Sequence, residues 1–162
     1  MNEKVRGELV QELVPMARYW GLSEGSAALY AVLALSGKAL NMTELQNLTG
    51  YSLSSVSTHL KSLTEKYLVT KRKEEGVYIY RAEMDFERIF RLLSKELLDR
   101  NILPLYKKVT EFKESEGGIL NQHLSRLEEE MSKLIDYLTK IIAVRGEAHG
   151  IEKDQIVMPG MS

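Results

Sequence analysis

The stretch that most limits what this chain can fold into is residues 43–69, TELQNLTGYSLSSVSTHLKSLTEKYLV. It holds two short helical patterns parted by one glycine turn. The first runs from Glu44 to Thr49, with Thr43 as its cap, Leu45 and Leu48 facing inward, and Gly50 ending it. After Tyr51-Ser52, Val56, Leu60 and Leu63 recur at spacings of four and three. That spacing predicts a helix over 53–67 with a single buried stripe.

The opposite face of this helix carries Ser54, Ser55, Ser57, Thr58, Lys61 and Ser62, with no acid before Glu65. A core helix would not present such a face, and an ordinary solvated helix carries more Glu and Lys. Short hydroxyl side chains at a helix N-terminus let the backbone come close to phosphates, and the helix dipole and free N–H groups favour an anion there. Ser52, Ser54, Ser55, Ser57, Thr58, His59 and Lys61 are therefore the candidate contacts for DNA. Serine and threonine position more than they specify, whereas Lys61 and His59 are placed to discriminate. A Ser/Thr-rich surface helix with no partner is the competing reading.

Two strands are expected next, over 68–73 and 77–82, around the turn Glu74-Glu75-Gly76. A lone hairpin is marginal, so it must lean on the helices before it. Lys71, Arg72, Lys73 and Arg81 on this wing, with Thr43 on the flank, are candidates for the DNA backbone or minor groove. Glu74 and Glu75 would oppose phosphates, so either the tip points away or the wing is a weak contact. A plain solvated hairpin remains the alternative. Charge supports a local basic face: residues 36–82 hold seven bases against four acids, within a chain of net charge −1.

The flanks read as helices. Val5, Leu9, Leu13, Met16 and Trp20 form an amphipathic stripe over 3–20, which Pro15 should kink or cut. Ser23 caps a second helix reaching about Leu35, closed by Gly37. Asp85 caps a long helix to about Ser115, kinked by Pro104, which leaves the carbonyl of Arg100 without its helical partner. Glu116-Gly117-Gly118 is a hinge. In the last helix, Leu120, Leu124, Leu127, Met131, Leu134, Leu138 and Ile141 recur at alternating spacings of four and three, a heptad seam. It would pack on the preceding helix or on a second chain; its length favours dimerisation. The tail, 146–162, has no periodicity and reads as flexible.

Other classes drop out. No apolar run is long enough to span a membrane, and the N-terminus has no signal-peptide pattern. The chain has no cysteine, so disulfides and thiolate chemistry are absent and the cytoplasm is the default location. His59, His123 and His149 lack metal-ligand spacing, and no catalytic motif is present, so neither an enzyme nor a cofactor is expected.

With these residues in view, the stretch 19–63 resembles the GbsR-type branch of the MarR-like winged-helix repressors. Gly21-Leu22-Ser23, the run Leu29-Tyr30-Ala31-Val32-Leu33, Leu35-Ser36-Gly37-Lys38 and Thr43-Glu44-Leu45 carry the likeness. It covers about residues 16–83; the later helices match only in kind, and the wing is short with an acidic tip. The resemblance implies a homodimeric regulator, often a repressor, that binds palindromic double-stranded DNA. It also implies a small-molecule effector in some members, including quaternary amines. Tyr19, Trp20 and Tyr30 would have to converge to cage such a cation, and core packing is the favoured reading for them. The expected fold is mainly α with a small β-hairpin: an N-terminal helix over 1–22 packing on the dimer region, a winged helix-turn-helix over 23–84, and dimerisation helices over 85–145. The expected function is a sequence-specific DNA-binding regulator. A winged-helix protein-interaction module without DNA binding is the alternative.

Overall fold

The computed structural model describes residues 3–115 and 118–144. The chain divides into two compact units, one ending at Leu93 and the other beginning at Ser94.

The first unit opens with α1 (Glu3–Tyr19), which runs unbroken past Pro15. Pro15 stands on the exposed side, where water can satisfy the carbonyl of Gln11 that loses its helical partner. The stripe expected to be buried is turned outward at Val5, Leu9 and Met16. Ala17 enters the core instead, with Val14 and Trp20 packed against it. In α2 (Glu24–Ser36), the Ser23 side chain accepts from the Ser26 amide and Gly37 closes the helix at φ 70°, both as the sequence indicates.

The start of α3 (Met42–Thr49) differs from expectation. Asn41 is the cap, not Thr43: its side chain accepts from the Glu44 amide at 2.9 Å, and the Glu44 carboxylate accepts from the Asn41 amide at 2.8 Å. This reciprocal box satisfies two free donors where a Thr43 cap would satisfy one. The Asn41 amide, helped by Lys38 3.3 Å away, holds the Glu44 carboxyl below the usual range. Leu48 is also not inward; it is 45% exposed. On so short a helix the line through Leu45 continues to Thr49, whose hydroxyl donates to the Leu45 carbonyl at 2.7 Å.

α4 (Leu53–Glu65) buries Val56, Leu60 and Leu63 as expected, but ends two residues early. Tyr67 takes a left-handed conformation at φ 60°, and the Leu68 amide donates back to the Leu63 carbonyl at 2.9 Å. That reversal sends Leu68 into the core, where it is fully buried.

The hairpin comprises β2 (Val69–Glu74) and β3 (Val77–Ala82), joined by Glu75 and Gly76, both at positive φ. Positive φ at both turn residues matches the twist of two antiparallel strands. A third strand, β1 (Leu40–Asn41), pairs with β3 through Leu40↔Tyr80 and Asn41↔Ile79, giving the order β1-β3-β2. No pattern in the sequence marks it. Two residues carry no period, yet they tie the wing to the helices, and Val69, Tyr80 and Ala82 join the same core. Helices α2 to α4 with this sheet form a winged helix-turn-helix. Tyr30 lies at its centre, its hydroxyl donating to the Glu83 carbonyl at 2.6 Å. Burial, then the nearby Glu83 charge, pushes that hydroxyl far above the usual tyrosine range. Asp85 caps α5 (Phe86–Leu97) through the Arg88 amide, as expected.

The second unit is built from α6 (Leu103–Ser115) and α7 (Gly118–Ala143), preceded by a π-helical turn at Leu98–Ile102. The distortion attributed to Pro104 thus sits in the turn before it. The Leu103 amide reaches back five residues to the Leu98 carbonyl, widening the helix where proline offers no N–H. Between α6 and α7, Lys113 pairs with Glu128, Thr110 Oγ1 donates to Glu128 at 3.1 Å, and Asn121 Nδ2 donates to the Lys113 carbonyl at 2.9 Å.

The heptad seam divides. Met131 and Leu138 are buried and Leu124 and Ile141 half-buried, while Leu120, Leu127 and Leu134 are exposed. Glu116 and Gly117 of the expected hinge, and the tail with His149, lie outside the described residues. No helix among the described residues is long and apolar enough to cross a membrane.

Candidate nucleic-acid interface

The N-terminus of α4 is built by its own hydroxyls. Ser52 Oγ accepts from the Ser55 amide at 3.2 Å and lies 3.0 Å from Ser54 Oγ, while Thr58 Oγ1 donates to the Ser54 carbonyl at 2.9 Å. The first turn holds no acid, so the positive end of the dipole faces outward uncancelled. Leu53, Ser54, Ser57, Thr58 and Lys61 are exposed and Ser55 is half-buried, with its amide used in the cap. Leu53, Ser57, Lys61 and Glu65, each four residues from the next, form one row along the helix, and Ser54 and Thr58 form a second. Lys61 is 78% exposed and its Nζ is 4.0 Å from Glu65.

His59 does not belong to this face. Its ring turns toward α2, where Nδ1 lies 3.0 Å from Ser26 Oγ and the ring leans on Tyr51 at 5.7 Å. Ser23 Oγ donates to Ser26 Oγ at 3.0 Å, which leaves Ser26 its own hydrogen to give to Nδ1. Gly25 permits the approach, since a Cβ there would stand 2.5 Å from His59 Nε2. His59 is thus a fastener between α2 and α4 and not an outward reader. Gly25 and Ser26 went unnoticed in the sequence; a glycine in the first turn of a helix is the one signal that could have marked them.

The four wing bases also separate. Cross-strand pairing puts Lys71 and Lys73 on the face of Tyr80 and Tyr78, and Arg72 and Arg81 on the other. Lys71 Nζ lies 3.8 Å from the centre of the Tyr78 ring, and Lys73 Nζ 5.7 Å. Arg72 pairs with Glu74 at 3.1 Å, which ties part of its charge to the acidic tip. A groove of about 320 Å³ between α4 and the wing is lined by Ser57, Lys61, Thr64, Glu65, Lys71 and Tyr80. Thr43 is exposed on the first turn of α3.

The aromatics do not form a cage. Tyr19 is 94% exposed, and Trp20 packs edge-on against Tyr30 at 5.5 Å and tilted on Phe86 at 5.7 Å. Among the described residues, no group of His, Asp and Glu is placed to hold a metal ion.

The sequence pattern of the penicillinase repressor family matches residues 34–135. A solved structure described as the crystal structure of a transcriptional regulator superposes with a TM-score of 0.61, covering 85% of this chain and 95% of that one at 12% identity. At that identity the likeness shows the shared fold alone. No curated protein sequence gives a significant match. These findings support a winged-helix repressor family and single out neither the MarR-like group nor its GbsR-type branch. With its match running from the end of α2 into α7, over well more than half of the chain, this protein belongs to the penicillinase repressor family.

Proposed function

We propose that the protein is a homodimeric transcriptional repressor that reads a palindromic operator with α4 and steadies itself on the DNA backbone with the wing. The outward face of α4 carries this reading: a hydroxyl-rich surface with Lys61, free of acid up to Glu65, at the exposed start of a helix. The groove beside it brings Lys71 of the wing next to α4, suited to a phosphate strand passing between helix and wing. Arg72 and Arg81 on the other wing face add sequence-independent attraction. Family membership supports a DNA-binding regulator, and such a protein acts where its DNA is, in the cytoplasm.

The second copy comes through α7. Leu120, Leu127 and Leu134 lie on the line of the seam that the α6 pairing leaves exposed, and a second chain would cover them. Two-fold symmetry would then set two α4 helices on half-sites about one helical turn apart. An effector rests on the GbsR-type likeness of residues 19–63 alone.

Selection from a random DNA pool, followed by titration of the enriched duplex against salt, tests the proposal. A two-fold symmetric site, with affinity falling steeply as salt rises, is the expected result. Lys61→Ala should relax preference within the half-site by about tenfold, the discrimination of a good base contact. Lys71→Ala should weaken every duplex alike and lower the salt slope by about one. An unenriched pool with salt-insensitive binding would sink the reading in favour of a winged helix that binds protein.

A further inference from the structure

The exposed face of α4 contains one side chain that its chemistry does not explain. Leu53, the first residue of the helix, is 45% exposed, while every other exposed side chain of that face carries a hydroxyl or a charge. The core does not require it there, because Val56, Leu60 and Leu63 complete the buried stripe. Its polar neighbours are engaged locally, Ser52 with the Ser55 amide and Ser54 with Ser52. Leu53 also leads the row that continues through Ser57 to Lys61, so it occupies the N-terminal end of the proposed reading surface.

We propose that Leu53 reads thymine, packing on the C5-methyl group of one thymine in each half-site. This inference rests on the reading of α4 as the recognition helix. N-terminal residues of such a helix are the ones that reach base edges. In the major groove thymine alone presents a methyl group, and a side chain without donor or acceptor recognises it by removing apolar surface from water. Leu53 supplies the apolar half of the code, and Lys61 the hydrogen-bonding half.

Replacing thymine by uracil removes only that methyl, which gives a clean test. In the selected duplex, each thymine of one half-site is exchanged in turn, and binding of the full-length protein and of Leu53→Ala is measured. At one position the exchange should weaken the native protein about fourfold, the equivalent of about 0.8 kcal/mol for one methyl-sized group. Leu53→Ala should bind the thymine and uracil duplexes equally, and Leu53→Met should retain most of the native preference. A uracil penalty that persists unchanged in Leu53→Ala, or no penalty at any position, overturns the assignment alone. Absence of binding to any duplex overturns the α4 reading together with it.

Discussion

In the unit that ends at Leu93, three helices and a small sheet close around Tyr30, Leu45, Leu60 and Leu63, all 0–2% exposed. In the unit that begins at Ser94, the buried apolar side chains among the described residues are Leu98, Val109, Met131 and Leu138. Leu105, Phe112, Ile119, Leu120, Leu127 and Leu134 remain outside, between 38% and 75% exposed. Both units have ample apolar sequence, so composition does not separate them. Geometry does. Helices that cross with a sheet behind them can enclose a centre, whereas two antiparallel helices bury one line each and leave the rest to water. The first unit closes its core within itself; the second leaves most of its large apolar side chains exposed among the described residues.

Substitutions that treat the two units alike should expose this difference. The largest effect is expected from replacing Leu120, Leu127 and Leu134 together by serine. Association should weaken by roughly 9 kcal/mol per dimer, at about 1.5 kcal/mol for each of the six leucines that the two copies lose from the interface. Sedimentation would then show a monomer with unchanged helix content. If the triple variant remains a dimer, the second unit is not open in the way described. Leu45→Ala should lower folding stability by about 3 kcal/mol by leaving a cavity in a closed core. The shift would be read from its urea midpoint and should be independent of protein concentration.

Gly25→Ala probes the fastener between α2 and α4. A Cβ placed 2.5 Å from His59 Nε2 forces the ring away and should destabilise by about 1–3 kcal/mol. Adding His59→Ala should recover part of that loss by emptying the space. Two additive losses in thermal melts would show that the ring is not what Gly25 accommodates.

The smallest effect belongs to the link between α6 and α7. Its hydrogen bonds from Lys113 and Thr110 hold the Glu128 carboxyl below the usual range, and the same pair raises Lys113. A lowered carboxylate contributes stability above the ordinary glutamate value and loses it as pH falls through the folded-state value. A raised lysine contributes below its ordinary value and loses that contribution as pH climbs through the folded-state value. Glu128→Gln should therefore melt slightly below the native protein at neutral pH, and the gap should close in acid. A constant gap from neutral to acid pH would remove Glu128 as the cause.

Much of the first unit was legible in the sequence because its signals are local. Ser23 and Gly37 announce the ends of α2, and Val56, Leu60 and Leu63 announce the buried side of α4 by their spacing alone. What stayed hidden depends on partners distant along the chain. β1 is two residues long and exists through its pairing with Tyr80 and Ile79. His59 looked like part of the outward set, and only the approach of Ser26, 33 residues earlier, turns it inward. The wing bases were visible as a cluster, but the register of the hairpin sorts them onto two faces.

The sequence by itself determined the helix-turn-helix, the hydroxyl-rich surface of α4 and the seven-residue seam, because periodicity and capping are set by neighbours a few residues away. Tertiary structure alone decided which seam residues stay exposed, which histidine fastens two helices and which leucine stands on the outward face of α4. Those outcomes depend on which surfaces meet across the fold, and a one-dimensional pattern records which side chains can be buried but not what buries them.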